Sequence, residues 1–483
     1  MINYDTIKQL AARQGITVAD LCALAPKNDP FYVGRPAELV AAQWFADLWQ
    51  RFGYSRGIHL RRVHYQIVSQ KPPITRPDGR PYENTESCWD YLNDAAKWAR
   101  YLRLVSPSAF VDRRNPEAVI NAIYLKPDDW SYQDPTPGYH VTGGWGESED
   151  RYYSLPELPE LPELPSYLPD PPDYNVTGYE GIQQPHHLEV WCEKTTMNDI
   201  LTPLCRRYGI NLVVGAGELS ITAVVDFMRR AHSAERPARI LYISDFDPAG
   251  MGMPISVARK IEYFQRNEGF HDLDIRLQPV VLTADQVDQF NLPRVPVKDS
   301  DLRKASFEAA YGQGQVELDA LEALYPGQLS RIVQEAIFQY YDPSLTQRAR
   351  QQRETLREAL AGEREARLDD YSDDLSQLET EYGALVDDFE AVREEFAALI
   401  ADFQPRIDDY KDRLEAIKAR CREVHESLSY AMGLADFDLG ETFALPEPEL
   451  PEETPTLYDS RRDYIAQLMA YKAQRFGTNG HEE

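Results

Sequence analysis

Between residues 186 and 300, short aliphatic runs alternate with amphipathic stretches, and few architectures accept that rhythm. Residues 188–192, 211–214, 238–244 and 275–282 read as buried strands. The stretches 197–205, 221–228 and 255–264 carry apolar positions at helical spacing. Strands joined through helices at this spacing form βαβ units, which predicts an α/β fold on a parallel sheet. The third strand runs into Ser244-Asp245-Phe246-Asp247-Pro248-Ala249-Gly250, two acids followed by the Pro and Gly of a tight turn. Side chains two apart leave an extended chain on the same side, so Asp245 and Asp247 are expected together. They stand at the carboxyl end of a strand, where open α/β sheets receive ligands. Glu193 follows the first strand and falls on the same edge. Carboxylates held this close repel unless a proton or cation lies between them. Mg²⁺, a hard ion that takes one or two carboxylates with water and phosphate oxygens, suits the set. Glu193, Asp245 and Asp247 are therefore the expected metal ligands, against the plainer reading of acidic strand ends in an acidic protein.

At 483 residues the chain exceeds one ordinary core, and its length suggests about three domains. A net charge of −28 argues against a general nucleic-acid sponge. The charge is regional, however: residues 51–120 hold twelve Lys and Arg against seven Asp and Glu. There the patterns 59–68 and 86–104 predict two helices joined by a turn-rich segment at 71–81, which fits a helical or winged-helix DNA-binding domain over 56–130. Arg62, Arg100, Arg103, Arg113 and Arg114 are its candidate phosphate contacts. Residues 1–55 read as a helical segment for packing or partner contact. Residues 131–185, with Leu-Pro-Glu three times over at 155–163, read as a stiff acidic linker unable to pack a core. The strand-rich domain is placed at 186–345.

From 371 to 428 apolar residues recur at alternating steps of three and four, a heptad seam that continues across Pro405. As one kinked coiled coil over 346–432, some 60 residues would reach ~90 Å. Its acidic flanks point to a protein partner: another copy, another helix of the chain or a separate subunit. A second Pro-rich linker and a final helix occupy 433–483. No apolar run approaches the ~18 residues of a membrane span, and no basic region followed by an apolar core opens the chain. Five scattered cysteines fit neither a disulfide framework nor a zinc site. A cytoplasmic, nucleoid-associated protein is expected.

Glu193 after a strand, then a Gly-rich turn, then Asp-Phe-Asp-Pro-Ala-Gly after another strand resembles the Toprim domain. The Asp-Pro-x-Gly form resembles the subgroup found in topoisomerase VI A subunits and the meiotic double-strand-break transesterases. Those families place a winged-helix domain before the Toprim domain, with the catalytic tyrosine ending an Arg-x-aliphatic-aromatic-Tyr motif. Arg61-Arg62-Val63-His64-Tyr65 matches that order, with His64 at the aromatic position. The resemblance covers roughly residues 55–300. It implies Mg²⁺-dependent cleavage of double-stranded DNA, with Tyr65 forming a 5′-phosphotyrosyl link and Arg61 stabilising the phenolate or the charged phosphorane. It also implies a homodimer and a separate ATPase subunit, since this chain carries no G-x-x-x-x-G-K-[ST] loop. The Pro-rich linker, the coiled coil and the tail lie outside that pattern. Two other readings are a Toprim nuclease of an anti-plasmid or anti-phage system that hydrolyses DNA without a covalent link, and a non-catalytic DNA-binding scaffold.

Overall fold

A computed structural model describes residues 2–111, 115–125, 137–155, 164–179, 182–215, 217–396, 404–434, 443–451 and 454–476. The chain divides into two units, one of Met1–Tyr132, Gln184–Asp342 and Glu449–Glu483, the other of Gln133–Gln183 and Pro343–Pro448.

The first 55 residues are helical, and their two α-helices serve two different cores. Tyr4–Gln14 (α1) sets Ile7 and Ala11 into the core of the central sheet. Pro36–Arg51 (α2) instead packs with Leu60–Val68 (α3) and Glu86–Tyr101 (α4) around Phe45, Trp49, Val63, Ile67, Leu92 and Ala96. Side-chain caps start two of these helices: His59 accepts the Arg61 N–H, and Thr85 accepts that of Cys88. Between α3 and α4, Thr75 and Pro81 pair antiparallel about a tight turn. The chain leaves α4 three residues earlier than expected and turns through Arg103, which has a φ of 61°.

In the second unit, Gly138–Thr142 (β1) pairs antiparallel with Asp173–Thr177 (β2), and Glu147–Tyr152 (α5) lies between them in sequence. The first unit resumes with His187–Cys192 (β3), Asn211–Val214 (β4), Ala238–Ile243 (β5) and Ile275–Val281 (β6). These four strands are parallel in the order β4-β3-β5-β6, joined by Asn198–Tyr208 (α6), Ile221–Ser233 (α7) and Met253–Asn267 (α8). The expected α/β architecture on a parallel sheet is present. Alternate strand residues feed two cores: Trp191, Ile240 and Tyr242 meet α7 and α8, whereas Leu188, Val190, Leu241 and Ile243 meet α6. Burial on both faces explains why these strands read as unbroken apolar runs. Ala284–Gln289 (α9), Lys304–Tyr311 (α10), Leu318–Leu324 (α11) and Gln328–Ile337 (α12) extend the second core.

Three expectations for the remainder change. Leu345–Asp370 (α13), Ser372–Phe396 (α14) and Gln404–Gly433 (α15) are helical as the heptads suggest, but the seam closes on itself. Asp388 pairs with Arg413 at 3.0 Å, Glu395 with Arg406 at 3.1 Å, and Glu381 with Arg420. Only an antiparallel α14/α15 hairpin makes that ladder, with Tyr382, Leu385, Leu414 and Ile417 buried between, in place of a single ~90 Å arm. Pro405 stands in the first turn of α15, where its missing N–H removes no helical bond. Residues 397–403 lie outside the described residues.

The Pro-rich linker also packs. Val176 and Tyr179 join Leu356 and Leu360 of α13, Tyr153 joins Tyr382, and the Tyr382 hydroxyl donates to the Pro165 carbonyl at 2.8 Å. Proline forbids the ladder of a helix or central strand, yet it leaves the intervening Leu and Tyr free to be buried. Of the Leu-Pro-Glu repeats, residues 156–163 lie outside the described residues. The tail, in turn, belongs to the sheet unit. Tyr458–Asp459 (β7) pairs antiparallel with β6, and Tyr464–Phe476 (α16) buries Tyr464, Leu468 and Tyr471 in the α7/α8 core. No described helix is long and apolar enough to cross a membrane.

Candidate metal centre

The strand order fixes where a ligand site must open. From β3 the chain steps outward to β4, then crosses back over β3 to β5 and continues to β6 on the other side. The reversal of direction between β3 and β5 leaves a crevice at their carboxyl ends. Register sets the two ends level: Cys192 lies beside Ile243, and the Glu193 N–H donates to the Ile243 carbonyl at 3.3 Å. Beyond β5 the chain stays extended, because Phe246 exchanges two backbone hydrogen bonds with Val316, each 2.9 Å. Phe246 is fully buried in the α6-side core, so Asp245 and Asp247 leave the chain on the opposite side.

Each of the three acids is anchored through one oxygen and leaves the other without a hydrogen bond among the described residues. Glu193 Oε1 accepts the Asp245 N–H at 2.8 Å, while Oε2 is buried and orphaned. Asp245 Oδ1 accepts the Leu318 N–H at 2.7 Å, at the start of α11. Asp247 Oδ1 accepts the N–H groups of Ala249 at 2.8 Å and Gly250 at 2.5 Å. Gly250 is required here, because a Cβ would stand 2.1 Å from the Asp245 carbonyl oxygen. Burial lifts the Glu193 carboxyl to about 8; the Asp245 N–H opposes the rise, and the charges of Asp245 and Asp247 add to it. Asp245 is likewise raised, first by burial. A buried anion lacking a partner is costly, and a cation at the free oxygens relieves that cost. Among the described residues no group of three or more His, Cys, Asp or Glu side chains is arranged so as to hold a metal ion. The fit of an ion rests on the donor set, the mutual repulsion and the orphaned Glu193 oxygen.

Several neighbours meet the acids through partners that no local spacing reveals. Lys194 sends its ammonium to Asp245 Oδ1 at 3.3 Å, Glu317 Oε2 at 3.1 Å and Asp319 Oδ2 at 2.6 Å. Burial works against that charge, but the bonds to Asp319, Asp245 and Glu317 outweigh it and raise the lysine above its ordinary value. Glu317 and Asp319 flank Leu318 and arrive only because Val316 pairs with Phe246, a contact no local periodicity reveals. Glu218, before α7, is ion-paired with Lys260 at 2.6 Å and accepts the Ser256 hydroxyl at 2.5 Å.

On α3, Tyr65 is 61 % exposed, and Arg61, one helical turn before it, shares its solvent face, as Arg62 does beside it. Among the described residues no hydrogen bond or ion pair engages the side chains of Tyr65, Arg61 or Arg62, and none links Tyr65 to the three acids. His64 is buried instead, bonded to the Tyr82 hydroxyl at 2.7 Å and Asn84 at 3.0 Å, which pins α3 to the turn that follows. Arg100 reaches the Pro107 carbonyl and Thr222, both at 3.4 Å, and its guanidinium lies over Phe110. Arg103 pairs with Glu268 at 3.4 Å. Arg113 and Arg114 lie outside the described residues. No protein-family model and no curated protein matches this sequence. The functional reading therefore rests on the chain's own geometry.

Proposed function

We propose that this chain is a Mg²⁺-dependent DNA-cleaving enzyme of the Toprim type, in which α2–α4 serve as a winged-helix-like DNA-binding domain and the crevice between β3 and β5 holds the ion. The observation that carries this reading is the trio of carboxylates, each fixed by a backbone N–H through one oxygen and open at the other. Glu193, Asp245 and Asp247 would hold the ion. When bound, it supplies positive charge against the phosphate undergoing transfer. Tyr65 is the nucleophile of this reading: its oxygen bonds to phosphorus, the bond from phosphorus to the 3′-oxygen breaks, and the DNA is left with a 5′-phosphotyrosyl link. The phenolic proton passes to solvent and the 3′-oxygen takes one up, so the reverse attack reseals the strand. An exposed tyrosine with Arg61 one turn away supports this role, because a phenol of pKa ~10 needs nearby positive charge to react near neutrality.

A second reading, metal-dependent hydrolysis by water, is favoured by one observation: among the described residues of the single chain, nothing bonds Tyr65 to the acids. The readings separate on supercoiled plasmid incubated with Mg²⁺ and quenched in denaturant. Protein left attached to DNA, and lost together with cleavage in Tyr65→Phe, supports transesterification. Cleavage retained in Tyr65→Phe supports hydrolysis. Cleavage unaffected by Asp245→Asn and Asp247→Asn refutes both.

A further inference from the structure

We propose that Lys194 is a built-in second cation of this centre, so that each chain takes one divalent ion although its carboxylates have the makings of two sites. This inference rests on the reading of Glu193, Asp245 and Asp247 as ion ligands. Lys194 lies just beyond the end of β3, with φ −126° and ψ 115°. There it meets three carboxylates brought from separate parts of the chain: Asp245 after β5, and Glu317 and Asp319 at the start of α11. Asp245 is common to both groups. One of its oxygens faces the ammonium and the Leu318 N–H, and the other is left for the ion.

Three carboxylate oxygens converge on one ammonium at 2.6, 3.1 and 3.3 Å, and carboxylate oxygen is the donor a hard divalent ion takes when no ammonium stands among them. A tethered ammonium has the advantage of high local concentration and is never lost to solution. It offers donors where a metal offers empty orbitals, so it balances Asp245 without drawing that carboxylate away from the first site. Removing the positive charge while keeping the side chain's bulk leaves Asp245, Glu317 and Asp319 uncompensated, and that set then recruits a soluble cation.

The test is Mn²⁺ binding to the full chain, counted by titration calorimetry and by loss of the free-ion electron paramagnetic resonance signal. Wild type is expected to bind one ion per chain and Lys194→Met two, with Lys194→Arg returning to one. The second ion is expected to vanish again when Asp319→Asn is added to Lys194→Met. Circular dichroism of each variant separates misfolding from altered binding, and the Arg variant provides a folded control of the same charge. Two ions in wild type, or one in Lys194→Met, overturns the role given to Lys194 and leaves the metal centre standing. No ion in wild type overturns both.

Discussion

Replacing Glu193 by Gln in the ion-free protein exposes the energetic cost of the centre. The Glu193 carboxyl rises from an ordinary 4.5 to about 8 in the folded chain, first because it is buried. Between those values the folded state keeps a proton that the unfolded state has lost, so rising pH favours unfolding by about 1.4 kcal/mol per unit. Below 4.5 both states are protonated and the cost is absent; above about 8 it is complete. The glutamine side chain of the variant retains an oxygen for the Asp245 N–H but never ionises. Glu193→Gln is therefore expected to exceed wild type by about 1 kcal/mol at pH 5 and about 3 kcal/mol at pH 7, so the gap in the opening constant widens by roughly 30-fold between the two. Hydrogen exchange of peptides spanning β3 and β5 reads that constant locally, and comparison at equal pH cancels the intrinsic exchange rate. Saturating Mg²⁺ should then stabilise wild type and leave the variant unmoved. A stability gap equal at pH 5 and pH 7 would refute the burial argument, and with it the claim that the centre is strained when it lacks an ion.

Two further substitutions test the frame around the centre. Gly250→Ala forces the turn to open, because its Cβ would meet the Asp245 carbonyl oxygen at 2.1 Å. It is expected to weaken Mn²⁺ binding by about tenfold or more, in the range of lost outer-sphere support, as read by calorimetry. Arg259→Met leaves Asp29 and Glu262 buried without the guanidinium that joins them at 3.1 and 2.8 Å. A loss of about 3–5 kcal/mol is expected, seen as a lower unfolding midpoint and as early proteolysis of the α16 segment, whose Tyr464 hydroxyl accepts from the same arginine.

What was legible in the sequence follows from how far each signal reaches. The strands β3 to β6 announced themselves because both faces are buried, and the placement of Glu193 beside Asp245 followed from parallel pairing alone. Lys194 was visible beside Glu193, but its carboxylate partners were not. Its partners Glu317 and Asp319 depend on Phe246 pairing with Val316, far along the chain, and a bridge of that kind has no period. Arg259 shows the opposite limit. On an amphipathic pattern an arginine marks the solvent face, yet α8 is buried from Pro254 through Gln265, and Arg259 lies fully inside among Phe31, Tyr464 and Tyr471. That inversion is why α1, in a segment read as serving packing or partner contact, and α16, read as a final helix after a linker, belong to the sheet unit. The heptads show a third limit. A seam states that a helix must be covered, and the same spacing serves a straight dimer or a hairpin. The choice is made by charges outside the seam. Asp388 with Arg413 and Glu395 with Arg406 match only when the chain doubles back, and a parallel partner would set those acids and bases out of register.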